Sequence, residues 1–425
     1  MADTIFALSS GRPPAAISVI RISGPDAHRA GEALAGSLPD VRTAAVRALR
    51  DPRSGELLDD ALVLRFDSPA TATGENIVEF QCHGSRAVVD AVLQALSGIA
   101  GLRAAQAGEF TRRAFENGRI DLTEAEGLAD LLEAETQSQR KAALALAEGG
   151  LRKQIGEWQE QLLGLCARAE RAIDYDEEDD SLDPAFGRDC KALAEELHSW
   201  LERPRVEPLK DGVLVVVAGP PNAGKSSLIN AIAGEERTIV TDVPGTTRDH
   251  IEIPLALGGV PIRLTDTAGL RATGDRVEAI GVERAGRLAN ASDVLVWLGP
   301  PNAAPEHARL LTVQAKADLP GRAEAPDGSL AVSAHSGAGL QPLLEAIEHL
   351  ARSVLPAEDA IALNRRQAGH LAETREALAA GSEMRDLVLL AEQLRVARGA
   401  FDRLTGRAGV EDVLDALFGR FCLGK

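Results

Sequence analysis

The sequence predicts a multidomain protein of α/β and α parts. A small α+β domain comes first, a helical domain next, and an α/β domain is inserted into the helical one. Three observations predict this. Short β-type runs alternate with helix-like runs over residues 1–117, and again over 207–355. Between and after these lie two stretches, 118–206 and 356–425, with apolar residues stepping by three and four. A striped helix must cover its apolar face, and the two helical stretches satisfy this most simply by packing together, with 207–355 as the insertion.

In the first domain, Ile17–Ile22, Leu62–Phe66 and Ile77–Gln81 read as strands and Ala87–Leu96 as a helix. The long stripe Leu151, Ile155, Trp158, Leu162, Leu165, Ala169, Ala172 then marks one helix, ending at the acidic run Asp174–Asp180, which reads as a solvated loop or helix end. Strand candidates follow at Val213–Ala218, Ile251–Leu257, Val260–Thr265, Asp293–Leu298, Leu310–Val313 and Leu330–Ser333. Leu257-Gly-Gly-Val260 has the makings of a tight hairpin, so the two strands it joins should run antiparallel. The stretch from Leu298 to Leu310 is short and proline-rich, and lacks the pattern of a full helix. After Pro356, Leu387, Leu390, Leu394, Ala397, Phe401 and Leu404 form a further stripe. Gly406 ends it, and Val413, Leu414, Leu417, Phe418 and Phe421 begin another.

Bulk properties narrow the function. The 425 residues exceed one compact core, and 45% hydrophobic content argues against disorder. A formal charge of −18 disfavours a protein coated with nucleic acid, while leaving room for a local patch that docks one RNA. No apolar run reaches membrane-spanning length, and the N-terminus has no signal-peptide core, so a cytoplasmic location is expected. Cys82, Cys166, Cys190 and Cys422 form no CxxC pair, so neither a zinc knuckle nor a disulfide framework is suggested, and scattered thiols fit a reducing compartment.

Chemistry concentrates in one segment. Gly219-Pro-Pro-Asn-Ala-Gly224-Lys225-Ser226 follows the apolar VLVVVA and precedes SLINAIAG, the strand–loop–helix context of a phosphate loop. Its glycines let main-chain N–H groups turn inward on phosphate oxygens, and the new helix adds the positive end of its dipole. Lys225 should reach the β- and γ-phosphates, and Ser226 should offer a hydroxyl to Mg²⁺. Two companions follow. The polar loop Thr241-Asp-Val-Pro-Gly-Thr-Thr-Arg-Asp249 offers Thr247 to the same ion. Asp266-Thr-Ala-Gly269 ends a strand, with Asp266 placed to hold a metal water and the Gly269 N–H to bond a γ-phosphate. Guanine is expected as the base because Asp318, in Ala315-Lys316-Ala317-Asp318, can accept from its N1–H and 2-amino group. Ala315 stands where the usual tetrad has Asn, and Ser333-Ala334 supplies the second base loop. For hydrolysis, Leu270 replaces the water-orienting glutamine of many GTPases, and spacing assigns no cis arginine finger. Asp275, Glu278 and Glu283 are the candidate water positioners.

These residues point to a family. RISGPDA, TGENIVEFQCHG, AGEFTRRAFENGRIDLTEAE, GPPNAGKSSLINAI, TDVPGTTRD, DTAGLR, GVERA and the tail FCLGK together resemble the MnmE (TrmE) tRNA-modification GTPases over nearly the whole chain. The resemblance implies an N-terminal folate-binding-like and dimerisation domain, a central helical domain, and an inserted Ras-like P-loop G domain with a mixed, mostly parallel sheet. It implies a homodimer acting with an FAD-dependent MnmG-type partner, in a heterotetramer, to add a carboxymethylaminomethyl- or aminomethyl-type group at C5 of the wobble uridine of certain tRNAs. Carried over by motif, GTP contacts fall on Asn222, Ala223, Gly224, Lys225, Ser226, Ser227, Thr241, Asp242, Val243, Pro244, Gly245, Thr246, Thr247, Asp266, Thr267, Ala268, Gly269, Lys316, Asp318, Ser333, Ala334 and His335. Catalytic roles fall on Lys225, Thr247 and the water-orienting Glu278. A K⁺ held by Asn222 with Thr241, Val243 and Thr246 would replace the arginine finger. Arg21, Glu79, Arg119 and Lys425 map to a site for 5,10-methylene- or 5-formyl-tetrahydrofolate, and Cys422 is a candidate thiol. A GTP-switch protein such as a ribosome-assembly factor is the alternative, and Ala315 leaves open a G domain losing its activity.

Overall fold

The computed structural model describes residues 3–174, 185–235, 252–266, 286–357, 360–408, 411–421 and 424. The sequence-predicted residues Thr241–Thr247, Thr267–Gly269, Leu270, Asp275, Glu278, Glu283, Cys422 and Lys425 therefore lie outside the described residues, as does most of the acidic run. The chain divides into two compact units. One comprises residues 1–129, 147–156 and 401–425, and the other 130–146 and 157–400.

The first unit is built on a six-stranded sheet in the order β3-β4-β5-β2-β1-β6. Its strands are β1 (Thr4–Leu8), β2 (Ile17–Ser23), β3 (Ala45–Arg50), β4 (Leu57–Phe66), β5 (Ile77–His83) and β6 (Leu102–Ala104). Helices α1 (Ala27–Ala35) and α2 (Arg86–Ser97) close one face over Ile20, Ile22, Val63, Val78 and Phe80, the core of this unit. Because side chains alternate along a strand, Arg21 and Glu79 face the other way. On that side, α3 (Glu109–Glu116) covers Ile5 and Ala7 with Phe110.

The motif block around α3 is mostly architecture. Arg113 is buried, and its guanidinium donates to the Asp3 carbonyl and carboxylate at 2.8 Å, and to Glu75 and Glu109 at 3.2 Å. A buried charge requires partners of this kind. Helix α4 (Leu122–Glu133) starts with a capping box: the Glu124 N–H donates to Asp121 Oδ1 at 2.9 Å, and the Asp121 N–H to Glu124 Oε2 at 2.7 Å. The C-terminal helix α14 (Glu411–Phe418) adds Leu414, Leu417 and Phe418 to a cluster with Leu122, Ala125 and Phe421. The tail then returns to the end of β1, where Ser9 Oγ donates to the Gly424 carbonyl at 2.7 Å. Gly424 has φ 92°, and a Cβ there would collide with the Leu8 carbonyl, so the glycine of the tail motif is sterically required.

The second unit holds helices and a second six-stranded sheet. Helix α6 (Gly150–Asp174) enters this unit at Glu157 and faces α7 (Ala185–Leu201), with the Trp158 and Trp200 rings edge-to-face at 5.2 Å. From Trp158 to Ala169 the predicted stripe is buried. Along its length α7 packs on α12 (Arg365–Glu383), so one helix from each predicted helical stretch meets the other. Also here are α5 (Gln137–Ala147) and α8 (Glu207–Asp211), joined where Gln139 Nε2 donates to the Lys210 carbonyl at 3.3 Å; Lys210 Nζ donates to Asp130. Helix α13 (Leu387–Thr405) buries Leu390, Leu394 and Ala397 in this unit. No described helix is long and apolar enough to cross a membrane.

The second sheet runs β12-β11-β10-β7-β9-β8. Strand β7 is Val213–Ala218, β8 Glu252–Leu257, β9 Val260–Asp266, β10 Val294–Trp297, β11 Leu310–Ala315 and β12 Ser329–Val332. The hairpin forms as the sequence predicts, with Leu257 opposite Val260 in an antiparallel pair and both glycines at positive φ. Every other pairing in this sheet is parallel. Helices α9 (Lys225–Glu235) and α11 (Leu340–Arg352) bury one face with Leu228, Ile232, Leu343 and Ile347. On the opposite face, residues 286–291 (α10) supply Ala289 and Leu288 against Val216 and Leu295.

Between β10 and β11 only the 3₁₀ turn Pro301–Ala303 is regular, as the proline-rich sequence predicts. A parallel crossover normally carries a helix to cover the sheet. The outer strands accommodate its absence by being polar on that face. Ser329 Oγ donates to Thr312 Oγ1 at 2.9 Å, Thr312 Oγ1 to the Gly328 carbonyl at 3.0 Å, and Gln314 Nε2 to the Arg322 and Glu324 carbonyls at 2.8 Å. His307 pins the connection, its ring bridging the Ser292 carbonyl (2.9 Å) and the Arg309 N–H (3.1 Å).

Candidate nucleotide site

All five parallel strands of the second sheet end on one edge, and β7 lies between β9 and β10. That makes the end of β7 a topological switch point, where the loops on either side diverge and leave a crevice. The described nucleotide-site residues all fall on this edge. Gly219–Ser227 follow β7, Asp266 ends β9, Lys316 and Asp318 follow β11, and Ser333, Ala334 and His335 follow β12.

The loop after β7 has the backbone its sequence demands. Gly219 is at φ 151°, Asn222 at 61° and Gly224 at 103°, conformations that glycine adopts freely and Asn tolerates. The Ala223 N–H donates to the Pro220 carbonyl at 3.3 Å, closing a turn, and the Leu228 N–H to the Gly224 carbonyl at 2.9 Å, opening α9. Lys225 is buried, and its ammonium donates to the Gly219 and Pro220 carbonyls at 3.0 Å each. Its charge is thus held across the mouth of the loop, beside the positive end of α9. Ser226 Oγ donates to Asp266 Oδ2 at 2.6 Å, so two hard oxygens from two loops meet at one point. That donor chemistry suits Mg²⁺.

The two base loops are tied to each other and to the phosphate loop. Ser333 is fully buried, and its hydroxyl donates to Asp318 Oδ1 at 2.6 Å while accepting from the Ser336 N–H at 3.1 Å. This hydroxyl, then the chain's own main-chain bonding and nearby His335, hold the Asp318 carboxyl below its usual range, keeping it an acceptor at neutral pH. Lys316, at φ 63°, donates from Nζ to the Asn222 carbonyl at 2.8 Å. Ala315 Cβ lies 3.8 Å from where a Cβ on Gly224 would stand, leaving a methyl group against the phosphate loop.

The described folate-type residues, Arg21, Glu79 and Arg119, all lie in the first unit. Arg21 and Glu79 are cross-strand partners at 2.8 Å, with the guanidinium over the Phe110 ring at the start of α3. Arg119 follows the end of α3 and lies against Gly74. Burial pushes the Cys82 thiol up to about 12 and the Cys190 thiol up to about 11, so neither is a nucleophile at neutral pH. A cavity of about 420 Å³ lined by Leu132, Ala143, Leu146, Val206 and Leu209 lies beside the Lys210–Asp130 ion pair and holds none of the site residues. Sequence reading missed the Ser333–Asp318 bridge; its signal was a serine directly after the last strand, where a buried hydroxyl needs a partner.

A family model of the TrmE GTP-binding protein N-terminus matches residues 4–119, and one of the MnmE helical domain matches 122–422. The chain is 53% identical to the tRNA modification GTPase MnmE of Erythrobacter litoralis over 426 residues, with all of both chains covered. It is 51% identical to that of Novosphingobium aromaticivorans, again with full coverage of both, and 54% identical to that of Rhizorhabdus wittichii, covering 100% of this chain and 97% of the relative. Among solved structures, the G domain of the Thermotoga maritima FeoB iron transporter is 25% identical, with TM-score 0.24, covering 33% of this chain and 98% of that one.

Proposed function

This chain belongs to the MnmE family of tRNA modification GTPases, and on that premise we propose that the edge formed by the ends of β7, β9, β11 and β12 binds GTP and hydrolyses it in the service of tRNA wobble-uridine modification. The observation that carries the reading is the convergence of Gly219–Ser227, Asp266, Lys316–Asp318 and Ser333–His335 on one sheet edge at a switch point. Main-chain amides from Asn222 to Ser227 face the phosphates, and Lys225 neutralises them. Asp318 accepts from the guanine edge, and the amides of Ala334 and His335 donate to its oxygen. Mg²⁺ held by Ser226 and Thr247, with Asp266 behind, would offset charge on the β- and γ-phosphates. Glu278 orients the attacking water, and the switch residues Thr241–Thr247 and Thr267–Gly269 close on the γ-phosphate.

The finer reading follows from the family. K⁺ would sit on Asn222 with carbonyls of Thr241, Val243 and Thr246, as two G domains of a homodimer meet. Arg21, Glu79, Arg119 and Lys425 would grip a reduced folate, for which paired N–H acceptors and a guanidinium are suited. An FAD-dependent partner would act with the chain, in the cytoplasm, at C5 of the uridine. The test is mass spectrometry of wobble uridines from cells whose own copy is replaced by this chain or by its Lys225→Ala variant. The modified nucleoside is expected with the parent and absent with the variant; unmodified uridine in both would overturn the reading.

The missing Asn makes a separate expectation. An Asn amide at 315 would reach the phosphate loop at Gly224, adding one or two hydrogen bonds of about 1 kcal/mol each. Ala315→Asn should therefore bind GDP about tenfold more tightly by calorimetric titration, and because the added bonds brace the phosphate loop, ADP should gain as well. Equal weak binding of GDP and ADP by the parent would show a site that has lost its base selectivity.

A further inference from the structure

The phosphate loop is braced from behind by the chain leaving β10. The Leu298 N–H donates to the Ala218 carbonyl at 2.7 Å, and a Cβ on Gly219 would stand 2.7 Å from the Leu298 carbonyl oxygen. At the next residue there is close contact on two sides. A Cβ on Gly299 would stand 2.8 Å from Trp297 Nε1 and 3.1 Å from Pro220 Cδ. The Trp297 indole folds back and donates from Nε1 to the Pro300 carbonyl at 3.1 Å, closing a short hook. Pro220, on which the hook bears, is the residue whose carbonyl accepts from both Lys225 Nζ and the Ala223 N–H. The hook occupies the place where a parallel crossover would begin its helix, and the chain between β10 and β11 has only a 3₁₀ turn.

We propose that Gly299 and Trp297 are positioning residues for the phosphate loop. The hook they form fixes Pro220, and through the Pro220 carbonyl it fixes the Lys225 ammonium and the inward aim of the loop amides. This rests on the reading of residues 219–227 as the nucleotide site. A methyl group at 299 has no room between the indole and the proline ring, so one of them must move. The indole is held by its bond to the Pro300 carbonyl, so part of the displacement passes to the Pro220 ring, and nucleotide contacts depend on sub-ångström placement.

The experiment titrates a fluorescent GDP analogue into full-length parent, Gly299→Ala, Trp297→Phe and the double variant, each shown to be folded by circular dichroism at the assay temperature. It also measures kcat and KM for GTP. Gly299→Ala should bind about tenfold more weakly and raise KM more than it lowers kcat. The double variant should recover to about the level of Trp297→Phe alone, because the smaller phenyl ring, no longer bonded to the Pro300 carbonyl, is free to turn aside from the methyl. Trp297→Phe alone should weaken binding about threefold by losing the hook's closing hydrogen bond, and it carries the test if Gly299→Ala does not fold. Parent-like affinity in Gly299→Ala, or no recovery in the double variant, overturns the proposal. For an unfolded Gly299→Ala, parent-like affinity in Trp297→Phe does the same. A parent that binds no GDP fails the nucleotide-site reading itself, and the proposal with it.

Discussion

Lys225→Ala is expected to lower kcat/KM for GTP by about a thousandfold or more, read as phosphate release, with the fold intact. The magnitude follows from where the charge sits. Lys225 is 7% exposed, and its ammonium is held against two loop carbonyls. In so water-poor a place a positive charge acts on phosphate oxygens with far less screening than at a surface. Phosphoryl transfer offers little covalent work for a protein, so removing a pre-placed charge takes away a main source of rate. The fold should survive because residue 225 opens α9, where Ala is the best helix former, and the hydrophobic contacts of α9 come from Leu228, Ile229 and Ile232. Lys225→Arg should not rescue, since a planar fork cannot take the place of a compact ammonium inside a closed loop. Turnover within tenfold of the parent would show that residues 219–226 are not the hydrolytic centre.

That prediction was legible from the sequence, because a phosphate loop is a local object. Its glycines, its lysine and the flanking strand and helix are contiguous, and the structure places strand β7 at Val213–Ala218 as read. The six strands of the second sheet were legible for a related reason: each is a short apolar run bounded by turn residues. What the first unit hid is instructive. Four of the five residues of Thr4–Leu8 are buried, so it shows no alternation, and Ala45–Arg50, with Ala and Arg in four of its six positions, reads equally well as helix. The block GEFTRRAFENGRIDLTEAE was legible as a signature but not as a structure. Only the fold shows that Arg113 gathers carboxylates from Asp3 and Glu75 as well as from Glu109 on its own helix. Long-range partners of a charge cannot be read along a chain. The same limit applies at the candidate site, where Ser333 meeting Asp318 and Lys316 reaching Asn222 each join residues of different loops.

GTP turnover is expected to be at least about tenfold faster in KCl than in NaCl at equal ionic strength, and Asn222→Gly should abolish the difference. Charge building on the β–γ bridge needs a cation, and such a cation is worth orders of magnitude when an arginine supplies it. Lys225 and Lys316 cannot move freely into that role, since each ammonium is engaged by main-chain carbonyls of the loop itself. Asn222 is placed otherwise. It is exposed, and its carbonyl is taken by Lys316. A side-chain amide oxygen, joined by carbonyls of Thr241, Val243 and Thr246, is the kind of ligand set that replaces the hydration shell of K⁺. The choice of glycine for the variant matters. Asn222 is at φ 61°, where alanine is strained and glycine is not, so Asn222→Gly removes the amide while leaving the loop its conformation. A loop-stiffening role for the amide would instead slow turnover equally in both salts. Equal rates for the parent in KCl and NaCl would remove the monovalent cation from the reaction, and the positive charge would then have to come from a residue outside this loop.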